Sequence, residues 1–153
     1  GRPDTRIHAA GDVARFPHPL YDDRRVAVEH WSHAVAQGEY AGRRIAGCDP
    51  EVPYAEMPTF WSTQYGVNIK SVGLTDGADG LVIAHGDPRT GRFLAVYGRE
   101  GRCIAAVAFD SARWLPAYAA LIEARASFPP VRDVTDQSRR VRVVPPGFPE
   151  ELS

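Results

Sequence analysis

The sequence predicts an α+β fold: an antiparallel β-sheet meander with packed helices. Three observations carry this. Residues 68–109 hold four strand-like runs joined by short turns that each contain glycine. Residues 26–47 and 111–127 flank that region and repeat apolar side chains at three- and four-residue spacing, as amphipathic helices do. Ahead of both, Ile7-His8-Ala9-Ala10-Gly11-Asp12 reads as a short buried strand that stops abruptly. Asp12 then stands at the strand end, where open α/β sheets hold their ligands.

In chain order, 15–25 reads as a loop, broken by Pro17, Pro19 and the Asp22-Asp23 pair. The helix over 26–47 would turn Trp31, Ala34, Val35, Gly38, Gly42 and Ile45 to one face. Much of that face is tiny, which permits close approach of another element. A glycine inside a helix costs about 1 kcal/mol against alanine, so Gly38 and Gly42 suggest a packing demand. Arg43 and Arg44 suit the negative end of the helix dipole, and Gly47 its C-terminal cap. Pro50, Pro53 and Pro58 mark a connector.

Strands are then expected over 68–74, 81–85, 92–99 and 102–109, with turns at 76–80, 87–91 and 100–101. Asp110 or Ser111 is positioned to cap the helix over 111–127, and Pro116 sets its first turn apart. Leu115, Tyr118, Ala119, Ile122 and Ala126 form its apolar stripe. In the polar tail, Val141, Val143 and Val144 suit a short strand. The extreme C-terminus is expected to be mobile. The organisation that results is 1–50, 53–128 and a tail at 129–153.

Composition narrows the function classes. A chain of 153 residues with 44% hydrophobic content suffices for a core. A net charge of −1 gives no bulk electrostatic case for nucleic acid or an anionic membrane. No apolar run approaches the roughly 20 residues that span a bilayer, and no signal peptide is visible. Cys48 and Cys103 lie far apart and read as reduced, partly buried thiols of a cytoplasmic protein. No metal site is expected: His30 and His33 are three apart on a helix, but no third ligand lies near in sequence. No hydrolase elbow, Cys-His frame or acid pair stands out, and no catalytic residue is assigned.

Three motifs in order carry a family resemblance. They are Ala9-Ala10-Gly11-Asp12-Val13-Ala14; then Glu29-His30-Trp31 with Ala34, Gln37 and Gly38; then Pro58-Thr59-Phe60-Trp61-Ser62-Thr63-Gln64-Tyr65-Gly66. Together they resemble the C-terminal third of FAD-dependent NAD(P)H:ferredoxin reductases of the oxygenase-coupled and putidaredoxin type. The likeness runs over about 7–128. It implies that 1–50 is the last strand and helix of an FAD-binding α/β domain, and that 53–128 is the reductase C-terminal domain.

The resemblance further implies that Asp12 hydrogen-bonds the ribityl chain of FAD. The backbone N–H of Trp31, with His30, would meet the pyrimidine edge, where a helix start stabilises the negative charge of reduced flavin, and Glu29 would lead this cofactor-binding segment. Trp61, Ser62 and Gln64 would face the flavin and the docking surface for a ferredoxin-type iron–sulfur partner. Thr63 stands where the family often has Asp, so no charged contact is carried over there. The arginine pairs Arg24-Arg25, Arg43-Arg44 and Arg139-Arg140 read as solvated faces, with docking of an acidic ferredoxin by one of them the alternative.

By this resemblance the full-length enzyme takes hydride from NAD(P)H and passes electrons singly to a ferredoxin. No Gly-x-Gly-x-x-Gly fingerprint is present here. The chain is therefore expected to be a C-terminal portion, inactive by itself and binding FAD weakly or not at all. The alternative from another class is a stand-alone interaction module that binds a protein partner or self-associates, the orphan strand and the Trp31 helix face favouring a dimer.

Overall fold

The computed structural model describes residues 7–48, 52–130 and, for their backbone, 142–144. It divides into two compact units, Gly1–Pro58 and Thr59–Ser153.

In the first unit, Ile7–Ala10 forms no strand and Ile7 is exposed. This corrects the expected buried strand. A strand must share its backbone N–H and C=O groups with a neighbour, and no described strand pairs with it. The segment instead enters a single 3-10 turn, Gly11–Val13. The expected loop also contains a small pairing: β1 (Phe16–Pro17) runs antiparallel to β2 (Arg25–Val26), around a 3-10 turn at Pro19–Tyr21.

The helix α1 spans Trp31–Ile45, five residues shorter at its start than the sequence suggests. Val26, in β2, and Val28 lie ahead of it and are buried. Arg43 and Arg44 occupy its last turn. Past the Ala46 cap, Gly47 takes φ +72°, and the amides of Gly47 and Cys48 return to the carbonyls of Arg44 and Arg43.

The orientation of α1 differs from the apolar stripe. Trp31, Val35 and Ile45 are exposed, while the buried residues are His33 and Gln37. The cause is hydrogen bonding. His33 Nε2 donates to the carbonyl of Met57 (3.1 Å), and the Tyr54 hydroxyl reaches His33 Nδ1 (3.1 Å). Tyr40 donates to the carbonyl of Val52 (2.6 Å). These bonds draw residues 52–57 onto the His33 side of the helix. His18 joins the same interior, fully buried, with Nδ1 accepting from the Leu20 amide and Nε2 donating to the Glu56 carbonyl. Phe16 and Tyr40 pack edge-on against Tyr54, at 5.1 and 5.4 Å between rings.

The second unit is a six-stranded antiparallel sheet of β3 (Thr59–Gln64), β4 (Val67–Gly73), β5 (Gly80–Asp87), β6 (Arg92–Arg99), β7 (Arg102–Phe109) and β8 (Arg142–Val144). Their order is β3-β4-β7-β6-β5-β8. Strands β5, β6 and β7 form the expected meander. The strand expected over 68–74 lies beside β7, however, not beside β5, so the four predicted strands close in a Greek-key order. The sheet also begins earlier than expected, at Thr59. Tyr65 and Gly66, both at positive φ (51° and 80°), make the two-residue turn that pairs β3 with β4. Glu100-Gly101 does the same for β6 and β7.

Consecutive residues are buried at the sheet's centre, Val82 to His85 and Leu94 to Val96, so both faces are covered there. The ring of Phe128 lies over Gly80 and Gly98, which face each other on β5 and β6. The helix α2 (Leu115–Glu123) packs on β7 and β4 through Leu115, Tyr118 and Ile122, three of the five stripe residues. His85, where the β5 register shifts, stacks on Trp114 at 4.4 Å and meets the Tyr118 hydroxyl at 2.9 Å.

Helix α2 is shorter than the expected 111–127. A 3-10 turn at Ala112–Trp114 precedes it, and Arg125 at φ 50° lies beyond its end. Neither proposed cap acts as one. Ser111 makes no side-chain cap bond, and the Asp110 carboxylate accepts instead from the backbone and side-chain N–H groups of Asn68, both at 3.1 Å. In the tail, Val143 and Val144 are in β8; Val141 and the extreme C-terminus lie outside the described residues.

Candidate functional site

The sequence-derived site residues fall in two groups, one in each unit. In the first unit Glu29 and His30 lead directly into α1, and Trp31 is its first residue. Three features make this helix start suited to an electron-rich planar ligand. The side chain of the N-cap residue, His30, makes no cap bond to this helix start, which carries the positive end of the helix dipole. Trp31 is 71% exposed, a large apolar surface presented outward. His30 is turned back on its own turn, with Nδ1 at 2.8 Å from Ser32 Oγ.

Asp12 lies in the Gly11–Val13 turn, exposed. That turn rests on α1. The Gly11 amide donates to Oε1 of Gln37 at 2.8 Å, and a Cβ at Gly11 would meet Cβ of Ala34 at 3.6 Å. The structure thus joins the first two motifs: the Asp12 turn and the Trp31 helix are one assembly. Nε2 of Gln37 is buried without a partner among the described residues.

In the second unit Trp61, Ser62 and Gln64 lie on β3, which forms one edge of the sheet. Trp61 is 46% exposed and Phe60 41%, and Tyr65 at the hairpin tip is fully exposed. Across the hairpin Trp61 faces Lys70, the single lysine of the chain, and Thr63 donates to the Asn68 side-chain oxygen at 3.2 Å.

Sequence reasoning missed the buried imidazoles. Both ring nitrogens of His33 are held, by Tyr54 and Met57. Burial depresses the pKa of His18, opposed by its bond to the Glu56 carbonyl and aided by nearby His33. Burial, with the Glu56 charge, pushes the Tyr54 hydroxyl up to about 12. The signal available was the aromatic spacing of Phe16, His18 and Tyr21 against Tyr54, a pattern that no single element displays. Among the described residues no group of three or more His, Cys, Asp or Glu could hold a metal. Neither Cys48 nor Cys103 forms a disulfide. No described helix is long and apolar enough to cross a membrane.

The architecture has close relatives. The family described as reductase C-terminal matches residues 59–144, the whole sheet with α2. The ferredoxin–NAD(+) reductase component of the anthranilate 1,2-dioxygenase system of Burkholderia cepacia is 38% identical over 124 residues, 80% of this chain and 30% of that protein. A ferredoxin–NAD(P)(+) reductase of a Sphingomonas species is 34% identical over 125 residues, 81% and 30% of the two chains. Among solved structures, the covalent putidaredoxin reductase–putidaredoxin complex superposes with a TM-score of 0.67 at 31% identity, covering 76% of this chain and 27% of that one. The chain spans less than a third of the length of these relatives. It belongs, by its sheet and its helix α2, to the reductase C-terminal family of the ferredoxin reductases.

Proposed function

We propose that this chain is the C-terminal part of a flavoprotein that passes electrons from NAD(P)H through FAD to a ferredoxin-type iron–sulfur protein. In this reading residues 1–50 end the FAD-binding domain and 53–128 form the interface domain. The observation that carries it is Trp31, 71% exposed at the start of α1, a helix tied through Gln37 to the Asp12 turn. A tryptophan left in water is costly unless a partner covers it, and a helix start favours an electron-rich edge.

The residues fit the flavin. The Asp12 carboxylate suits a hydroxylated chain, since an ionised carboxylate accepts several hydrogen bonds. The backbone N–H groups at His30 and Trp31 suit a carbonyl edge, with Glu29 leading the segment. The bound flavin would supply the step from two-electron to one-electron transfer. Trp61, Ser62 and Gln64, on an edge strand with exposed aromatics, suit a partner-facing surface.

The remaining contact surface for FAD and the nicotinamide site would come from outside this sequence. The chain alone is then catalytically inactive, and its FAD affinity is low, because too few contacts offset the cost of ordering the cofactor. Mixing the purified chain with FAD and passing it through gel filtration tests this. Retention of stoichiometric yellow flavin would overturn the inactive-fragment reading. A full-length protein that takes up no flavin would overturn the function itself.

A second reading is self-association. Val35 and Ile45 join Trp31 in exposing an apolar helix face, at 51% and 69%. Light scattering after gel filtration separates the two readings: a dimer that persists at micromolar concentration favours the module, a monomer the flavoprotein.

A further inference from the structure

Gln37 is only 4% exposed, and its two amide atoms are treated differently. Oε1 accepts the Gly11 amide at 2.8 Å, a bond linking residues 26 apart. Nε2 is buried with no partner among the described residues. A buried unpaired amide donor costs free energy that an apolar side chain of similar size would not. The amide is therefore at this place for the bond its oxygen makes. That bond fixes a residue at φ +78°, a conformation that side chains with a Cβ rarely adopt, against the Ala34 side of α1. Asp12 is the next residue, exposed and in the same turn.

We propose that Gln37 is a positioning residue for Asp12. It ties the Gly11–Asp12 turn to the helix that begins at Trp31, so that the carboxylate and the helix start are presented to one ligand as a rigid pair. This deepens the flavin reading and rests on it for the identity of the ligand. The tie itself belongs to this chain alone. A ligand meeting both groups would bind more tightly, because the turn is ordered before binding.

Two measurements test it. In the chain itself, amide exchange of Gly11 followed by NMR should quicken roughly tenfold in Gln37→Leu, and in the closer-sized Gln37→Met should Leu prevent folding. Gln37→Glu, whose protonated acid keeps the accepting oxygen, should restore slow exchange. Unchanged Gly11 exchange in the Leu or Met variant would sink the proposal while leaving the flavin reading standing. In the full-length flavoprotein, FAD dissociation constants of the Gln37→Met and Asp12→Ala variants should each rise roughly tenfold, and the double variant should be no more than about twofold weaker than Asp12→Ala. A fully additive double variant, roughly a hundredfold weaker, would show that Gln37 does not act through Asp12. A wild-type full-length protein that takes up no FAD would remove both this role and the flavin reading.

Discussion

The hydroxyl of Tyr54 stands 3.1 Å from Nδ1 of His33. In a neutral imidazole whose Nε2 donates to the Met57 carbonyl, Nδ1 accepts and Tyr54 is the donor. The pair fastens the connector to α1, and Tyr54 serves only while it keeps its proton. Its pKa is pushed up to about 12, above the ordinary value of 10.0. In the folded state the proton is held more tightly than in the unfolded chain. The stabilisation is present below about pH 10 and is lost as pH rises toward about 12. Urea melts of the first unit should show this alkaline loss, and Tyr54→Phe should remove it. That substitution should also cost about 0.5–1.5 kcal/mol at neutral pH, the net worth of one hydrogen bond.

His18 behaves in the opposite sense. Its pKa is lowered from 6.5, chiefly because it is buried, so the unfolded chain binds a proton before the folded one does. Stability should be level above about pH 6.5 and fall as pH drops below it, down to the folded-state pKa. His18→Leu should flatten that acid slope. It should also cost about 1–3 kcal/mol, because the Leu20 amide and Glu56 carbonyl lose their partner. Denaturant melts between pH 5 and 8 measure both effects, and an unchanged slope in His18→Leu would assign the acid sensitivity elsewhere.

The two thiols should differ sharply. Cys103 is buried, its thiol donates to the Ser127 carbonyl at 3.3 Å, and burial pushes its pKa up to about 11. Cys48 is exposed past the end of α1. The thiolate is the reactive form, so a disulfide reagent at pH 8 should titrate one thiol rapidly and the second only on unfolding. Mass spectrometry of the first-labelled peptide should find Cys48.

Gly98 has a packing role. A Cβ there would overlap the base of the Phe128 ring, whereas one at Gly80 would meet only the ring's edge. Gly98→Ala should destabilise the second unit by about 1–3 kcal/mol, as overpacking does. Coupled with Phe128→Ala, most of the overpacking loss should vanish, giving a double variant less destabilised than the sum of the singles. Thermal melts of the four proteins check the cycle.

Trp31 tests the site. At 71% exposure it contributes little to this chain's own packing, so Trp31→Ala should change the stability of the chain by no more than about 0.5 kcal/mol. On the proposed flavoprotein reading, the same change in the full-length protein should weaken FAD or ferredoxin binding by a factor of roughly ten. A large stability loss without a binding effect would make Trp31 a core residue instead.

Much of this protein is written in local pattern. Strands β6 and β7 keep the expected bounds of 92–99 and 102–109, because a two-residue Glu-Gly turn fixes their register. The buried faces of Leu115, Tyr118 and Ile122 follow from helical period alone. The three motifs that carry the family resemblance are legible by type and order as well. Only the fold decided which side of α1 is buried. Two stripes of that helix were available, and the long-range bonds of His33 to Met57 and Gln37 to Gly11 chose the polar one. Only the fold decided that β4 lies beside β7, since period-two alternation sets a strand's faces but not its neighbour. Whether Ile7–Ala10 is a strand was never a local matter, because a strand exists by sharing hydrogen bonds with another, and no described strand pairs with it.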